Sequence, residues 1–142
     1  MLTKIQRSQA GFTLIEIMIV VAIIAMLAAI AVPSALRARK RAQASSTLET
    51  LRDFDAAQDQ WAIENGKKPG DTITNGSDLA PYCKKGSALY NQLNSNQAVL
   101  DAVGGTIVYQ PVDSPMQLSD ATYGILSDVL NSDYWGPYYS GS

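Results

Sequence analysis

Residues Phe12 to Leu36 form a 25-residue apolar run that carries a single charge, Glu16. As a helix rising ~1.5 Å per residue, the run is ~37 Å long and crosses a bilayer core of ~30 Å. Its Ile, Val and Ala content suits lipid on every face. A carboxylate at the centre of such a segment costs roughly 2.5–3.5 kcal/mol on insertion scales, so an acid near its start requires a partner or a function. Glu16 stands four residues past Phe12 and therefore shares its helix face.

Ahead of the run, Met1 to Gly11 is polar and basic through Lys4 and Arg7. Three processing readings fit. A conventional secretory signal has its A-x-A site in Ala29-Ile30-Ala31, although Glu16 and a run longer than ~7–15 residues both oppose an ordinary h-region. A permanent anchor is the second. Arg37, Arg39, Lys40 and Arg41 outnumber Lys4 and Arg7, and positive-inside counting then leaves the polar remainder in the cytoplasm. The third is leader removal at Gly11. Glycine lets a peptidase cleft close on bare backbone, and cleavage frees an α-amino group at Phe12, one helical turn from Glu16.

The basic leader, Gly11-Phe12-Thr13-Leu14-Ile15-Glu16 and the roughly twenty apolar residues that follow resemble the start of a type IV pilin or type II secretion pseudopilin with a class III leader. The resemblance is firm over residues 1–41 and loose beyond. It implies a prepilin leader over 1–11, a membrane-spanning and filament-core helix over 12–36, and a structural role rather than an enzymatic one. A prepilin peptidase/N-methyltransferase would cut between Gly11 and Phe12 and methylate Phe12. The subunit would wait in the bacterial inner membrane with its head periplasmic, then join a periplasmic or cell-surface filament. Further partners implied are copies of the chain in a helical homopolymer, an assembly ATPase and its inner-membrane platform. Filament register falls to Phe12, Thr13 and Glu16. The amine of one subunit can meet the acid of the next, and a buried polar pair is well suited to fixing register. Thr13 either bonds a backbone carbonyl of its own helix or helps align Glu16. Pro33 lacks an N–H and predicts a helix kink, and by resemblance pilin helices unwind near this position in filaments. The alternative class is a secreted binding or adhesion protein with a cleaved conventional signal.

Composition removes other functions. Histidine is absent, which takes away the usual general base and the commonest zinc ligand. A formal charge of -2 gives no basic field for nucleic acid. Cys83, the lone cysteine, cannot close an internal disulfide and reads as a small buried hydrophobe, with an intermolecular bridge as the alternative. Many type IV pilins carry a C-terminal disulfide, so its absence tilts the reading toward a G-type pseudopilin. No cofactor is expected from the residues. The resemblance leaves calcium open, with Asp113, Asp120, Asp128 and Asp133 as oxygen ligands by type.

The expected fold class is α+β: a long N-terminal helix, spanning in its first half and amphipathic over 37–66, with a small head over 67–142. Ala44, Leu48, Leu51, Phe54, Ala57 and Trp61 recur at three or four and form the buried stripe. Gly66 stops the helix. Along it a basic band, Arg37 to Arg41, precedes an acidic one, Glu49, Asp53, Asp55 and Asp59, which staggered sister subunits could bring together; the alternative is ordinary solvated charge and headgroup contact, since exposed pairs are worth only ~0–1 kcal/mol. In the head, Ser77 or Asp78 starts a short helix through Lys84, Asn96 to Val103 is helical, and Thr106 to Tyr109 is a strand. Ser119 caps a last helix, with a strand over 122–126 as its alternative. The aromatic tail from Tyr134 to Tyr139 is expected to pack onto the long helix, with exposed adhesion or partner contact as the alternative.

Overall fold

The computed structural model describes residues 11–141; the leader with Lys4 and Arg7 lies outside them, save for Gly11. The chain divides into two compact units, the second beginning at Arg37. Helix α1 covers Leu14–Glu64, and Pro33 lies within it. Up to Leu36 its large apolar side chains are all exposed, Ile30 at 77%. Its buried residues begin only at Ala44.

The α1 C-terminus closes by a Schellman arrangement. Gly66 adopts φ +61°, its N–H donates to Ile63, and Lys67 N–H reaches back to Ala62. These bonds satisfy carbonyls that the last turn would otherwise leave open. The stripe read from the sequence is the core seam, with Leu48 half-buried and the other five buried. Thr47 and Gln58 are buried beside it, which hydrophobic spacing does not reveal.

Those polar residues fasten irregular head segments to the stem. Thr47 Oγ1 accepts from Ala102 N–H at 3.3 Å, and Gln58 Nε2 donates to the Gln110 carbonyl at 3.0 Å. Asp55 Oδ1 accepts from Met116 N–H at 2.8 Å, and Lys40 pairs with Asp128 at 2.7 Å. Buried loop backbone needs partners, and here the helix supplies them.

The head is α+β, with short helices and a two-stranded antiparallel sheet. Strand β1 (Ile107–Val108) pairs with β2 (Gln117–Leu118), Ile107 opposite Leu118. Helix α2 (Ala88–Asn94) is capped by Ser87, which accepts from Tyr90 N–H. Helix α3 (Asp120–Leu126) is capped by Ser119, so 122–126 is helical rather than extended. Two expectations change. The helix from Ser77 to Lys84 is a pair of 3₁₀ turns, Gly76–Asp78 and Ala80–Tyr82. Pro81 cannot donate to the Ser77 carbonyl that an α-helix capped there requires. The helix over 96–103 is instead a bent, partly extended segment. Asn96 takes φ +52°, Leu100 bridges to Thr106, and Ile107 N–H donates to Val99. Pairing with the following strand outweighs the helical propensity of Gln97 to Ala102.

The tail folds back onto the core. Trp135 is 1% exposed, Tyr139 stacks on Tyr123 at 4.0 Å, and Phe54 meets Tyr109 edge-on at 5.2 Å.

A buried carboxylate organises the turn between Leu100 and Thr106. Asp101 Oδ1 accepts from Val103 and Gly105 N–H groups, each at 2.9 Å, and Oδ2 accepts from the Thr122 hydroxyl on α3. A Cβ on Gly105 would collide with Thr122 Oγ1 and lie 2.9 Å from the Asp101 carboxylate. Gly105→Ala is therefore expected to cost about 2 kcal/mol by breaking bonds to a charged acceptor. Thermal unfolding followed by near-UV circular dichroism should show a fall of about 10 °C.

Burial pushes the Asp55 carboxyl up, against the opposing bonds from Met116 and Tyr138, and nearby Asp59 adds to the rise. A raised folded pKa means that the folded chain holds more protons, so stability falls as pH climbs from the ordinary aspartate value through the raised one. Asp55→Asn keeps an oxygen for Met116 and should abolish this fall. Melting curves of variant and wild type should run parallel in acid and separate above that window, with the variant higher.

Candidate processing and assembly site

The N-terminal residues that the sequence singles out sit together at the start of α1. Phe12 is 85% exposed, and among the described residues nothing lies within 4 Å of where a Gly11 side chain would begin. The Gly11–Phe12 bond is thus sterically open.

Thr13 and Glu16 form a reciprocal cap. The Thr13 hydroxyl donates to Glu16 Oε2 at 2.7 Å, and Thr13 N–H donates to the same oxygen at 2.8 Å. Glu16 N–H returns to Thr13 Oγ1 at 3.4 Å. This is a capping box, in which residues three apart satisfy donors that the first helical turn leaves open. The Thr13 hydroxyl therefore goes to Glu16 and not to a backbone carbonyl. Thr-x-x-Glu ahead of an apolar run is a recognised helix-start pattern, so the box was readable from spacing and the sequence reading missed it. Both bonds fall on Oε2, which keeps the Oε1 lone pairs for a further donor.

The helical backbone runs unbroken through Pro33, and the Ser34 hydroxyl donates to the Ala31 carbonyl at 2.9 Å. In the second unit, Lys40 holds the Asp128 carboxyl below its ordinary range, first through their hydrogen bond. Cys83 is half-buried against the core rather than fully enclosed. Burial pushes its thiol up, and Asp53 adds to the shift. It lines a shallow cavity of ≈ 280 Å³ with Tyr82 and Ser87. Among the described residues, no three Asp, Glu, Cys or His side chains gather as a metal-holding group. Asp128 is taken by Lys40, and Asp133 by the Asn131 amide at 3.2 Å.

Residues 6–32 match the family model described as the prokaryotic N-terminal methylation motif. The chain is 36% identical over 104 residues to the type IV wide pilus major component PilA4 of Thermus thermophilus, covering 71% of this chain and 79% of that one. It is 37% identical over 78 residues to the type IV major pilin protein PilE1 of Neisseria gonorrhoeae, 55% of this chain and 47% of the relative. It is 28% identical over 81 residues to the type II secretion system core protein G of Aeromonas hydrophila, 54% and 57% of the two chains. No solved structure matches.

An apolar helix headed by a methylation motif and followed by a small α+β head defines a filament subunit anchored in a membrane before assembly. The chain belongs to the type IV pilin and pseudopilin family. It is a structural protein and not an enzyme, processed at its leader by prepilin peptidase. Membership sets aside the conventional-signal and plain-anchor readings.

The capping box is expected to hold the first turn. Thr13→Ala should destabilise it by about 1 kcal/mol, whereas Thr13→Ser should preserve it. Amide exchange at Leu14 to Ile17 in detergent micelles, faster in the alanine variant alone, is the corresponding measurement.

Proposed function

We propose that this chain is the repeating subunit of a type IV pilus. The similarity to PilA4 carries that reading. A match of 104 residues is longer than the whole segment up to the end of α1 at Glu64, so it must extend into the head. This outweighs the tilt toward a G-type pseudopilin that the missing disulfide gave.

In this reading the peptidase cuts between Gly11 and Phe12 and methylates the new terminus. The head lies periplasmic, and an assembly ATPase with its inner-membrane platform extracts the subunit. Extraction moves apolar surface from lipid to sister helices and yields little net hydrophobic gain, since lipid is already apolar. Specificity then rests on polar pairing. The freed Phe12 amine of one subunit meets Glu16 of its neighbour, with Oε1 as the open acceptor and Thr13 holding Oε2. One such pair per contact sets the axial step. Pro33, whose missing N–H leaves the carbonyl of Ala29 without its helical donor, is where α1 opens when subunits pack.

Mass spectrometry of the mature protein is expected to show a chain starting at methylated Phe12; a start at Val32 would contradict the reading. Overproduced wild type should form long surface fibres in electron micrographs. Glu16→Ala should be cleaved normally and yield fibres reduced at least tenfold.

A further inference from the structure

Four of the five residues from Arg37 to Arg41 are cationic. Arg37, Arg39 and Arg41 are exposed, and Lys40 keeps 34% of its side chain accessible. No acid lies on the helix between Glu16 and Glu49. Glu49 stands ~12 Å beyond Arg41, past a Debye length of ~8–10 Å. From the head, Asp128 pairs with Lys40 and lies within electrostatic reach of Arg37. That carboxylate is thus set against Lys40 and Arg37. At 3.6 residues per turn, Arg37 and Arg41 share a face while Arg39 points to the opposite side, so the charge encircles the helix. The collar is ~6 Å tall, about the depth of one headgroup layer, and begins at the residue after the apolar run ends.

We propose that this collar binds anionic phospholipid phosphates in the leaflet where the span ends, holding the stored subunit at a fixed depth. Guanidinium groups match phosphate oxygens as forked donors, and each cation at an anionic surface adds about fivefold in affinity. The competing partner is the acidic band of a sister subunit. The end of the span at Leu36 fixes the depth of the collar, whereas Asp55 of that band already accepts from Met116 N–H. The inference rests on the reading that the subunit is stored in a membrane.

The test uses the full chain extracted from membranes in mild detergent and given equal amounts of phosphatidylglycerol and phosphatidylcholine. Retained lipid is counted by native mass spectrometry. Wild type should favour phosphatidylglycerol by at least about fivefold, and excess inorganic phosphate should leave that preference intact. R37Q/R39Q/R41Q should fall to parity, while R37K/R39K/R41K keeps the preference. Near-UV circular dichroism from Trp61 and Trp135 verifies that each head is folded. Equal preference in wild type and the glutamine variant, or displacement of lipid by inorganic phosphate, overturns the inference and leaves membrane storage standing. It is also overturned if R37E/R39E/R41E retains lipid like wild type yet forms fibres only when combined with E49K/D53K/D59K, which assigns the collar to a sister subunit. Recovery of the chain without lipid in the soluble fraction overturns the storage reading and the inference with it.

Discussion

An ionised side chain survives in hydrocarbon only while donors surround it, because an unpaired charge there loses its hydration with no return. Glu16 meets this condition locally. Thr13 supplies a hydroxyl and a backbone N–H to one carboxylate oxygen, and Glu16 in turn satisfies the first turn of the helix. Both bonds fall on one oxygen, and in the proposed assembly the second would receive an incoming amine. On that proposal a waiting subunit would carry a preorganised acceptor and lose little side-chain freedom when a neighbour arrives.

The second half of α1 solves a different problem. A head this small, with one pair of two-residue strands and two seven-residue helices, has much irregular backbone to satisfy. Thr47, Asp55 and Gln58 on the helix bond to backbone groups at Ala102, Met116 and Gln110, while Asp101 gathers its own turn and α3. These side chains take the place of a larger sheet. They tie distant loops to the second half of α1, in a chain whose lone cysteine can form no internal crosslink.

The helix was legible in the sequence because its signals are long and redundant: an apolar run, a stripe at helical spacing and Gly66 as terminator. The β1 strand and the Ser119 cap were legible for the same local reasons. Helix α2 was overlooked although Ser87 precedes Leu89 and Leu93 at i, i+4, because neighbouring polar residues blurred the stripe. Strand β2 is two residues long, too short for alternation to register. The helix expected over 96–103 failed because pairing with Thr106 and Ile107 is a tertiary contact that propensity does not contain. At the site, the sequence located Gly11, Phe12, Thr13 and Glu16 by chemical type. The reciprocal bonding of Thr13 and Glu16 was present in their spacing and went unread.

The account turns on where the Glu16 carboxylate goes when subunits assemble. A cryo-electron microscopy map of purified fibres, resolved well enough to place side chains, answers this directly. The prediction is a Glu16 oxygen within hydrogen-bonding distance of the Phe12 nitrogen of an adjacent subunit, repeated at every contact along the fibre. A carboxylate that faces water, or one bonded only to its own Thr13 with the neighbouring amine elsewhere, would contradict it.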